Sequence, residues 1–319
     1  MTATATRNSH DSNARRHAAF VVLVALSIVA FHKPLNALRA YSLNNASSSH
    51  IVLIPVIALF LLYFGRQTIF PITSSAVASG ISLGLGGIVL YWFASRPPFP
   101  QDGNWPLAFA TLSIVLLWLG LFLLCYGFIA FRAALFPLLF LLLMVPLPEA
   151  ILDRIIYALQ AGSTEIAYLI FEAVGMPVIR HGFILSVPGV TIEVAQECSS
   201  IRSSIALFIT CLLAAHLYLR TGWKMLLFAL LSLPLSLAKN GIRIATLTLL
   251  SIYINPGFLT GRLHREGGIV FFLVSLLLLA PVFLWLERSD KPRRPTNTSA
   301  PKQVSVVTVE AMTNNTHST

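Results

Sequence analysis

The sequence predicts an all-α polytopic membrane protein, because the chain is strongly apolar and carries few charges. Hydrophobic residues make up 56% of its 319 residues, charged residues only 11%, and the mean hydropathy is +0.78. A soluble domain usually has about twice that share of charged residues. The net charge of +10 does not indicate nucleic-acid binding, because the basic residues are scattered through loops and tails, where such residues orient helices in a bilayer.

Eight apolar runs are candidate transmembrane helices. Several are shorter than the roughly 20 residues that cross a bilayer, and only Phe131-Arg132 separates the fourth run from the fifth. The first run follows a polar segment at 1–17 and has no small-residue cleavage site after it, so we expect an uncleaved first span. The runs cover about 18–32, 50–64, 76–95, 107–130, 133–147, 201–219, 223–252 and 267–286.

The distribution of charge predicts that both termini lie in the cytoplasm. Basic residues in three of the loops and in the C-terminal tail then lie inside. We therefore divide the chain into a cytoplasmic polar tail at 1–17, a multi-pass membrane domain at 18–287 and a disordered cytoplasmic tail at 288–319. Many arginines remain outside in this topology, so the positive-inside bias is weak unless some of them serve chemistry.

The segment 148–200 differs from the rest of the chain and is predicted to lie outside. Over 150–174, charged and apolar residues recur at a spacing that gives one apolar face, which is typical of a helix lying at a membrane surface. Further on, Pro188-Gly189 fits the centre of a type II turn, and 190–194 alternates apolar and polar side chains. We expect a short β-hairpin that leads into the sixth span.

Cys198 stands where this polar segment meets the sixth apolar run. The other two cysteines, Cys125 and Cys211, lie deep within apolar runs, so Cys198 has no evident disulfide partner and no second thiolate for a metal. A lone thiol at the start of a helix, beside polar groups, suits a nucleophile. Free cysteine is more often an inert packing residue, so position alone leaves both interpretations open.

Two further polar sites are predicted at the depth of Cys198. Arg243, in the seventh span, follows Lys224 by nineteen residues, which is about 28 Å along a helix and close to the thickness of the hydrocarbon core. His264 precedes the eighth span at its outer end. Each has an ordinary alternative, since an arginine can snorkel to headgroups and a lone histidine is usually a plain loop residue.

Two neighbours are supporting candidates. Asn240 shares a helix face with Arg243, and polar groups inside a membrane are usually functional. Arg202 follows Cys198 by four residues, one helical turn further on, where it would chiefly orient the helix against headgroups.

These residue types can together carry out acyl transfer. A helix N-terminus and nearby arginines favour a thiolate, and an imidazole can accept the thiol proton and return it to a leaving amine. A guanidinium can stabilise an oxyanion, an effect often worth a few kcal/mol. Glu197 should point away from the sulfur, because a carboxylate there would oppose ionisation of the thiol.

Three blocks of the sequence resemble the signature blocks of the exosortase/archaeosortase family. They are Cys198–Arg202, Asn240–Ile244, and His264 followed by Gly267 or Gly268, in that order within a frame of eight apolar runs over roughly 50–286. The family usually has Gly after Cys-Ser, where this chain has Ser200. That departure would narrow substrate approach or mark a divergent subgroup.

The resemblance implies a cysteine endopeptidase or transpeptidase in the cytoplasmic membrane of a prokaryote, with its site facing the periplasm or cell exterior. Its substrates would be membrane-anchored proteins with a C-terminal sorting signal, and the acyl-enzyme would pass to a surface acceptor. By that match Cys198 would be the nucleophile, Arg243 the electrostatic stabiliser and His264 the proton carrier. No cofactor, metal or nucleic acid is implied.

Two other classes of protein remain open from the sequence. A transporter or channel would also carry polar residues and a proline such as Pro234 within its spans, but no internal repeat is found and the polar residues gather near the outer face. A non-catalytic scaffold for surface-polysaccharide assembly would not form a thioester with any substrate.

Overall fold

The fold is a bundle of helices with one small antiparallel sheet, which confirms the all-α polytopic class. The computed structural model describes residues 2–71, 76–96, 103–195, 201–258 and 262–290, with side chains except at 2–12 and 262–268. The helices are α1 (Thr2–Ala30), α2 (His32–Asn44), α3 (Leu53–Phe64), α4 (Arg66–Ile69), α5 (Val77–Ala94), α6 (Trp105–Ala133), α7 (Leu135–Phe140), α8 (Glu149–Ala173), α9 (Ile201–Tyr218), α10 (Gly222–Tyr253) and α11 (Arg262–Asp290). The strands are β1 (Ile179–His181), β2 (Ile184–Val187) and β3 (Val190–Glu193), and short 3₁₀ helices cover Ala46–Ser48, Leu141–Met144 and Pro256–Phe258.

The polar segments at both ends of the membrane domain are helical where the structure describes them. The N-terminal polar segment is helical from Thr2, so it continues directly into the first span as α1. At the other end, α11 extends to Asp290. The rest of the tail that we expected to be disordered, 291–319, lies outside the described residues.

Seven of the described helical segments are long and apolar enough to cross a membrane. An eighth crossing exists if the segment Leu135–Met144 and α8, which are bent by 92° at a short break, form one span. The seven segments are Asn13–Ala30, Ala46–Phe64, Val77–Ala94, Trp105–Ala133, Ile201–Tyr218, Gly222–Tyr253 and Ile269–Asp290.

The fifth apolar run, predicted as a helix over 133–147, is only partly helical. Six residues of α7 pass into the 3₁₀ turn Leu141–Met144, and the chain becomes extended at Val145. Leu138, Phe140 and Met144 are each 2% exposed and pack in a common core with α3 and α6. Irregular backbone at membrane depth is tolerated when protein surrounds it, and this segment is enclosed in that way.

Asn104, directly before α6, holds the start of α6 and the chain at residues 147–149 at the same depth in the membrane. Its side-chain amide donates to the carbonyl of Leu147 at 2.8 Å and to the hydroxyl of Tyr41 at 3.0 Å, and its carbonyl accepts the backbone N–H of Glu149 at 2.9 Å. The chain therefore leaves this depth of the membrane along α6 and has returned to it at residue 147. This return supports an eighth crossing and places the start of α8 beside the start of α6.

Close packing of α5 on α6 fixes the first half of the bundle. A Cβ added to Gly120 would lie 2.6 Å from the nitrogen of Gly84 and 2.8 Å from the carbonyl oxygen of Gly80. Only glycine allows the two backbones to approach this closely, which is typical of helix pairs in membranes.

The second half of the bundle consists of α9, α10 and α11. These helices share an apolar core of Leu207, Cys211, Ala215, Leu219, Phe228, Leu279 and Leu286. At one end, Asp290 pairs with Lys224 at 3.1 Å and accepts the backbone N–H groups of Arg220 and Thr221. The end of α11 is thereby fastened to the start of α10.

The predicted β-hairpin is present, but it belongs to a three-stranded sheet. Strands β2 and β3 pair around Pro188-Gly189, and Gly189 has a φ of +84°, as the third position of a type II turn requires. The hairpin prediction missed β1, which pairs antiparallel with β2. Gly182, with a φ of +63°, turns the chain back between these two strands.

Cysteine labelling tests the eighth crossing. In a Cys198→Ala background, a membrane-impermeant maleimide added to intact spheroplasts should label His181→Cys and not Gln67→Cys. These two exposed positions lie in β1 and α4, which are on opposite sides of the membrane if 135–148 crosses. Permeabilisation should expose both. Equal labelling of both positions in intact spheroplasts would mean that 135–148 returns to the side it came from.

Candidate active site

The predicted site residues of the seventh span lie where α8, α9 and α10 meet. Asn240 is 1% exposed and its amide donates to Ser163 Oγ of α8 at 2.9 Å. Its neighbour Lys239 is 5% exposed and donates to Ser203 Oγ of α9. We call these four residues the polar junction. One turn of α10 thus holds two other helices, because buried polar groups are stable only with hydrogen-bond partners.

Gly241 makes this contact possible. A Cβ at this position would lie 2.5 Å from Cγ2 of Ile166 and 3.1 Å from the carbonyl oxygen of Ser163. Any larger residue would push α8 away from α10. The glycine therefore sets the distance at which Asn240 reaches Ser163.

The buried face of α8 is polar in its first part, which its sequence pattern did not predict, and apolar at Ala167 and Phe171. Gln160, Ser163 and Thr164 are buried, although their polarity suggests a solvent-facing stripe. Ile151 and Ile155, which belong to the predicted apolar face, are 44% and 38% exposed. The signal in the sequence was the pair of small polar residues Ser163 and Thr164, since Ser and Thr allow helices to pack closely within a membrane.

Cys198 lies outside the described residues, but the chain is fastened on both sides of it. On the N-terminal side, Val194 is buried, its N–H donates to the carbonyl of Phe183 at 3.0 Å, and its own carbonyl accepts from Gln160 Nε2. On the C-terminal side, Ser203 in the first turn of α9 is bonded to Lys239. Only residues 195–202 join these two fixed points.

The two candidate arginines differ in their surroundings. Arg243 lies one turn beyond Lys239 on α10, is half-buried, and has a buried Nε. Arg202 lies in the first turn of α9 and is exposed. Arg243 thus adds a second basic side chain close to the polar junction, whereas Arg202 lies on the exposed surface of α9.

His264 lies in the first turn of α11, but its side chain is outside the described part of the chain. The described residues therefore bring Asn240 and Arg243 together and fix both flanks of Cys198.

Sequence reasoning missed Gln160, Ser163 and Ser203, and gave Lys239 no role. Over the described ranges, no cluster of three or more His, Cys, Asp or Glu side chains could hold a metal ion.

Comparison with known proteins gives one finding about this region. A family model described as transmembrane exosortase matches residues 41–281, which include the polar junction and most of the bundle. No curated protein and no solved structure matches the chain.

A double-mutant cycle tests the bond between α8 and α10. Ser163→Ala and Asn240→Ala, measured singly and together by unfolding in detergent, should show a coupling of about 0.6–1.5 kcal/mol, the usual range for such bonds. Ser163→Ala paired with Thr210→Ala serves as the control, because Thr210 is exposed on α9 and bonds within its own helix. Coupling no larger than in the control would remove this bond as the link between the two helices.

Proposed function

Because this chain belongs to the transmembrane exosortase family, we propose that it is a cysteine endopeptidase and transpeptidase of the cytoplasmic membrane. It cleaves a C-terminal sorting signal from exported, membrane-anchored proteins at the outer face and transfers them to a surface acceptor. The observation that carries this proposal is the register in which α9, α10 and α11 pack. This register supports one common depth in the membrane for Cys198, Arg243 and His264.

The register of α9 and α10 supports a position for Arg243 beside Cys198. Lys239 bonds Ser203, and the two helices run in opposite directions. A step of four residues towards the C-terminus of α10 therefore corresponds to a step of four residues towards the N-terminus of α9. Arg243 therefore lies just past the N-terminal end of α9, and Cys198 comes three residues before that helix begins.

The register of α9 and α11, which run parallel, supports a position for His264 at the same level. Tyr218 packs against Phe283 with ring centroids 5.7 Å apart, so the residue numbers of these neighbours differ by 65. The backbone N–H of Arg220 donates to Asp290, and these residue numbers differ by 70. Applied to Ile201, the first residue of α9, these offsets correspond to 266–271 in α11. His264 precedes that range by two residues, as Cys198 precedes Ile201 by three.

The chemistry follows from these roles. The Cys198 thiolate attacks the carbonyl carbon of the scissile amide, after His264 has accepted the thiol proton. The oxyanion of the tetrahedral intermediate is stabilised by the guanidinium of Arg243. His264 returns the proton to the leaving amine, which departs with the sorting signal. The resulting thioester is attacked by the acceptor nucleophile, which regenerates the thiol.

The depth of the site suits this class of substrate. The scissile bond of a sorting signal lies just before a transmembrane helix, and so at the outer membrane interface. Arg243 is nineteen positions along α10 from Lys224, which belongs to the ion pair at the other end of that helix. This separation of about 28 Å is close to the thickness of the hydrocarbon core.

Substitution of the nucleophile gives the first test. Cys198→Ala should abolish processing of a substrate with a sorting signal while leaving the protein inserted and abundant. Cys198→Ser should be nearly as damaging, because a hydroxyl is much harder to deprotonate than a thiol. Processing is measured by the release of the C-terminal segment. Normal processing by Cys198→Ala would exclude the mechanism and favour a transporter or a scaffold.

Substitution of Arg243 separates catalysis from anchoring. Arg243→Lys should lose at least about tenfold in rate, near 1.4 kcal/mol of barrier, because lysine lacks the planar fork that matches an oxyanion. Arg132→Lys is the control, since Arg132 is exposed at the end of α6 and lies over the ring of Phe128. A fully active Arg243→Lys protein of normal abundance would assign Arg243 to headgroup contact alone.

A further inference from the structure

We propose that strand β3 binds the extended segment of a membrane-anchored substrate as an added, parallel strand of the sheet. The segment pairs with the edge of β3 that faces away from β2, which we call the free edge. This inference rests on the proposed function, because that function supplies a substrate whose chain approaches the membrane just before its transmembrane helix. It assigns substrate binding to the sheet formed by β1, β2 and β3.

The pairing of β2 with β3 determines which backbone groups point towards the free edge. The N–H of Val194 donates to the carbonyl of Phe183 at 3.0 Å, so these residues form a hydrogen-bonded pair just beyond the two strands. In an antiparallel ladder, such pairs alternate with pairs whose backbone groups point outwards. By the observed register, Thr191 and Glu193 belong to the outward-pointing pairs. Their backbone groups therefore point away from β2.

The side chains of β3 agree with this register. The hydroxyl oxygens of Ser186 and Thr191 lie 3.4 Å apart across the two strands, and side chains approach most closely in the pairs that are not hydrogen-bonded. Thr191 and Glu193 are exposed, whereas Val194, on the opposite face, is 1% exposed. The free edge is therefore accessible from outside the protein core.

Three backbone groups at the free edge have no partner within the described ranges. They are the N–H and the carbonyl of Thr191 and the N–H of Glu193, whereas the carbonyl of Glu193 accepts the N–H of Ala195 at 3.0 Å. A parallel strand presents an acceptor, a donor and an acceptor at the matching spacing. Because only main-chain groups are involved, the free edge fits an extended peptide and not a folded surface.

The opposite edge of the sheet offers less. Strand β1 has three residues, and the backbone groups of Ile179 and His181 point towards β2, because Ile184 and Ser186 of β2 point away from β3. Only Arg180 then points its backbone outwards. An edge of one residue is too short to add a strand, and short edges are one means by which proteins avoid such pairing.

The direction of β3 favours a substrate strand that runs parallel to it. The strand leads from the turn at Pro188-Gly189 to Val194, which Gln160 of α8 holds, and the chain then enters the bundle at Ile201. The extended segment of a substrate also runs towards the membrane, since its transmembrane helix follows. The two chains therefore point the same way.

The small size of the free edge favours a substrate over a second copy of this chain. Three hydrogen bonds are far too few for a stable dimer, whose interface buries a much larger surface. A substrate anchored in the same membrane needs only a weak contact, because its anchor keeps its effective concentration high.

Disulfide cross-linking with a membrane-anchored probe tests this geometry. The probe is the sorting-signal protein of the processing assay, with one cysteine at successive positions before its transmembrane helix, coexpressed with full-length Cys198→Ala protein. Thr191→Cys should cross-link to every second probe position, because side chains alternate between the faces of a strand. With Glu193→Cys, the best probe position should move two residues towards the C-terminus of the probe, as parallel pairing requires.

His181→Cys is the matched control. It is exposed and lies in the same cross-strand row as Glu193, but two strands and about 10 Å away from it. It should not cross-link to the probe. Cross-linking of Thr191→Cys no stronger than that of the control, an absence of alternation, or a shift in the opposite direction would overturn the inference. A disulfide between two Thr191→Cys copies without probe would assign the free edge to a second copy, with the same consequence.

Thr191→Pro tests the backbone donor. Proline removes an N–H that the ladder does not use, and a strand edge tolerates this change. In Glu193→Cys protein, Thr191→Pro should lower cross-linking to the probe about tenfold, the value of one hydrogen bond. Thr191→Val keeps the N–H and the shape of the side chain, so it should have little effect. Equal cross-linking by the two variants would overturn the inference, and if Thr191→Pro does not fold, the alternation pattern decides.

These cross-links form in Cys198→Ala protein, so they report binding and not catalysis. Failure of the inference is a missing or wrong cross-linking pattern. Failure of the proposed function is normal processing by Cys198→Ala, which is measured without any added cysteine. The two results are therefore distinguishable.

Discussion

A polar side chain buried in a membrane bundle needs a hydrogen-bond partner, and this constraint organises the site half of the molecule. Asn240 and Lys239, neighbours on α10, meet it by bonding Ser163 of α8 and Ser203 of α9. Gln160, one turn before Ser163 on the same face, bonds the backbone at the end of β3. Loss of these bonds would release the helices and the strand that flank the Cys198 segment.

Helix α10 also determines the depth of the site in the membrane. Near its first turn α10 is fastened to the end of α11 by Lys224 and Asp290, and towards its outer end it carries Lys239 and Arg243. Because both neighbouring helices are tied to α10, their registers follow from a few contacts. Reactive residue types from three distant blocks of sequence can then share one level without being close in the chain.

Composition and motif order were enough to predict the fold class and the family. They could not predict the backbone of 133–147, because an apolar run has the same composition whether it forms a straight helix or an irregular segment enclosed by protein. They also missed the buried face of α8, since Gln160, Ser163 and Thr164 are polar and their partners come from other elements. Strand β1 was missed because only the conformation of Gly182 separates it from β2.

Disulfide cross-linking between Cys198 and His264→Cys in native membranes tests the central claim most directly, since a disulfide requires Cα atoms within about 7 Å. A Ser163→Cys/Asn240→Cys pair in a Cys198→Ala background reports a contact that the structure describes and serves as the positive control. We expect mild oxidation to cross-link both pairs to a similar extent. Cross-linking of the control pair without any bond between positions 198 and 264 would contradict the convergence of the three blocks on one site.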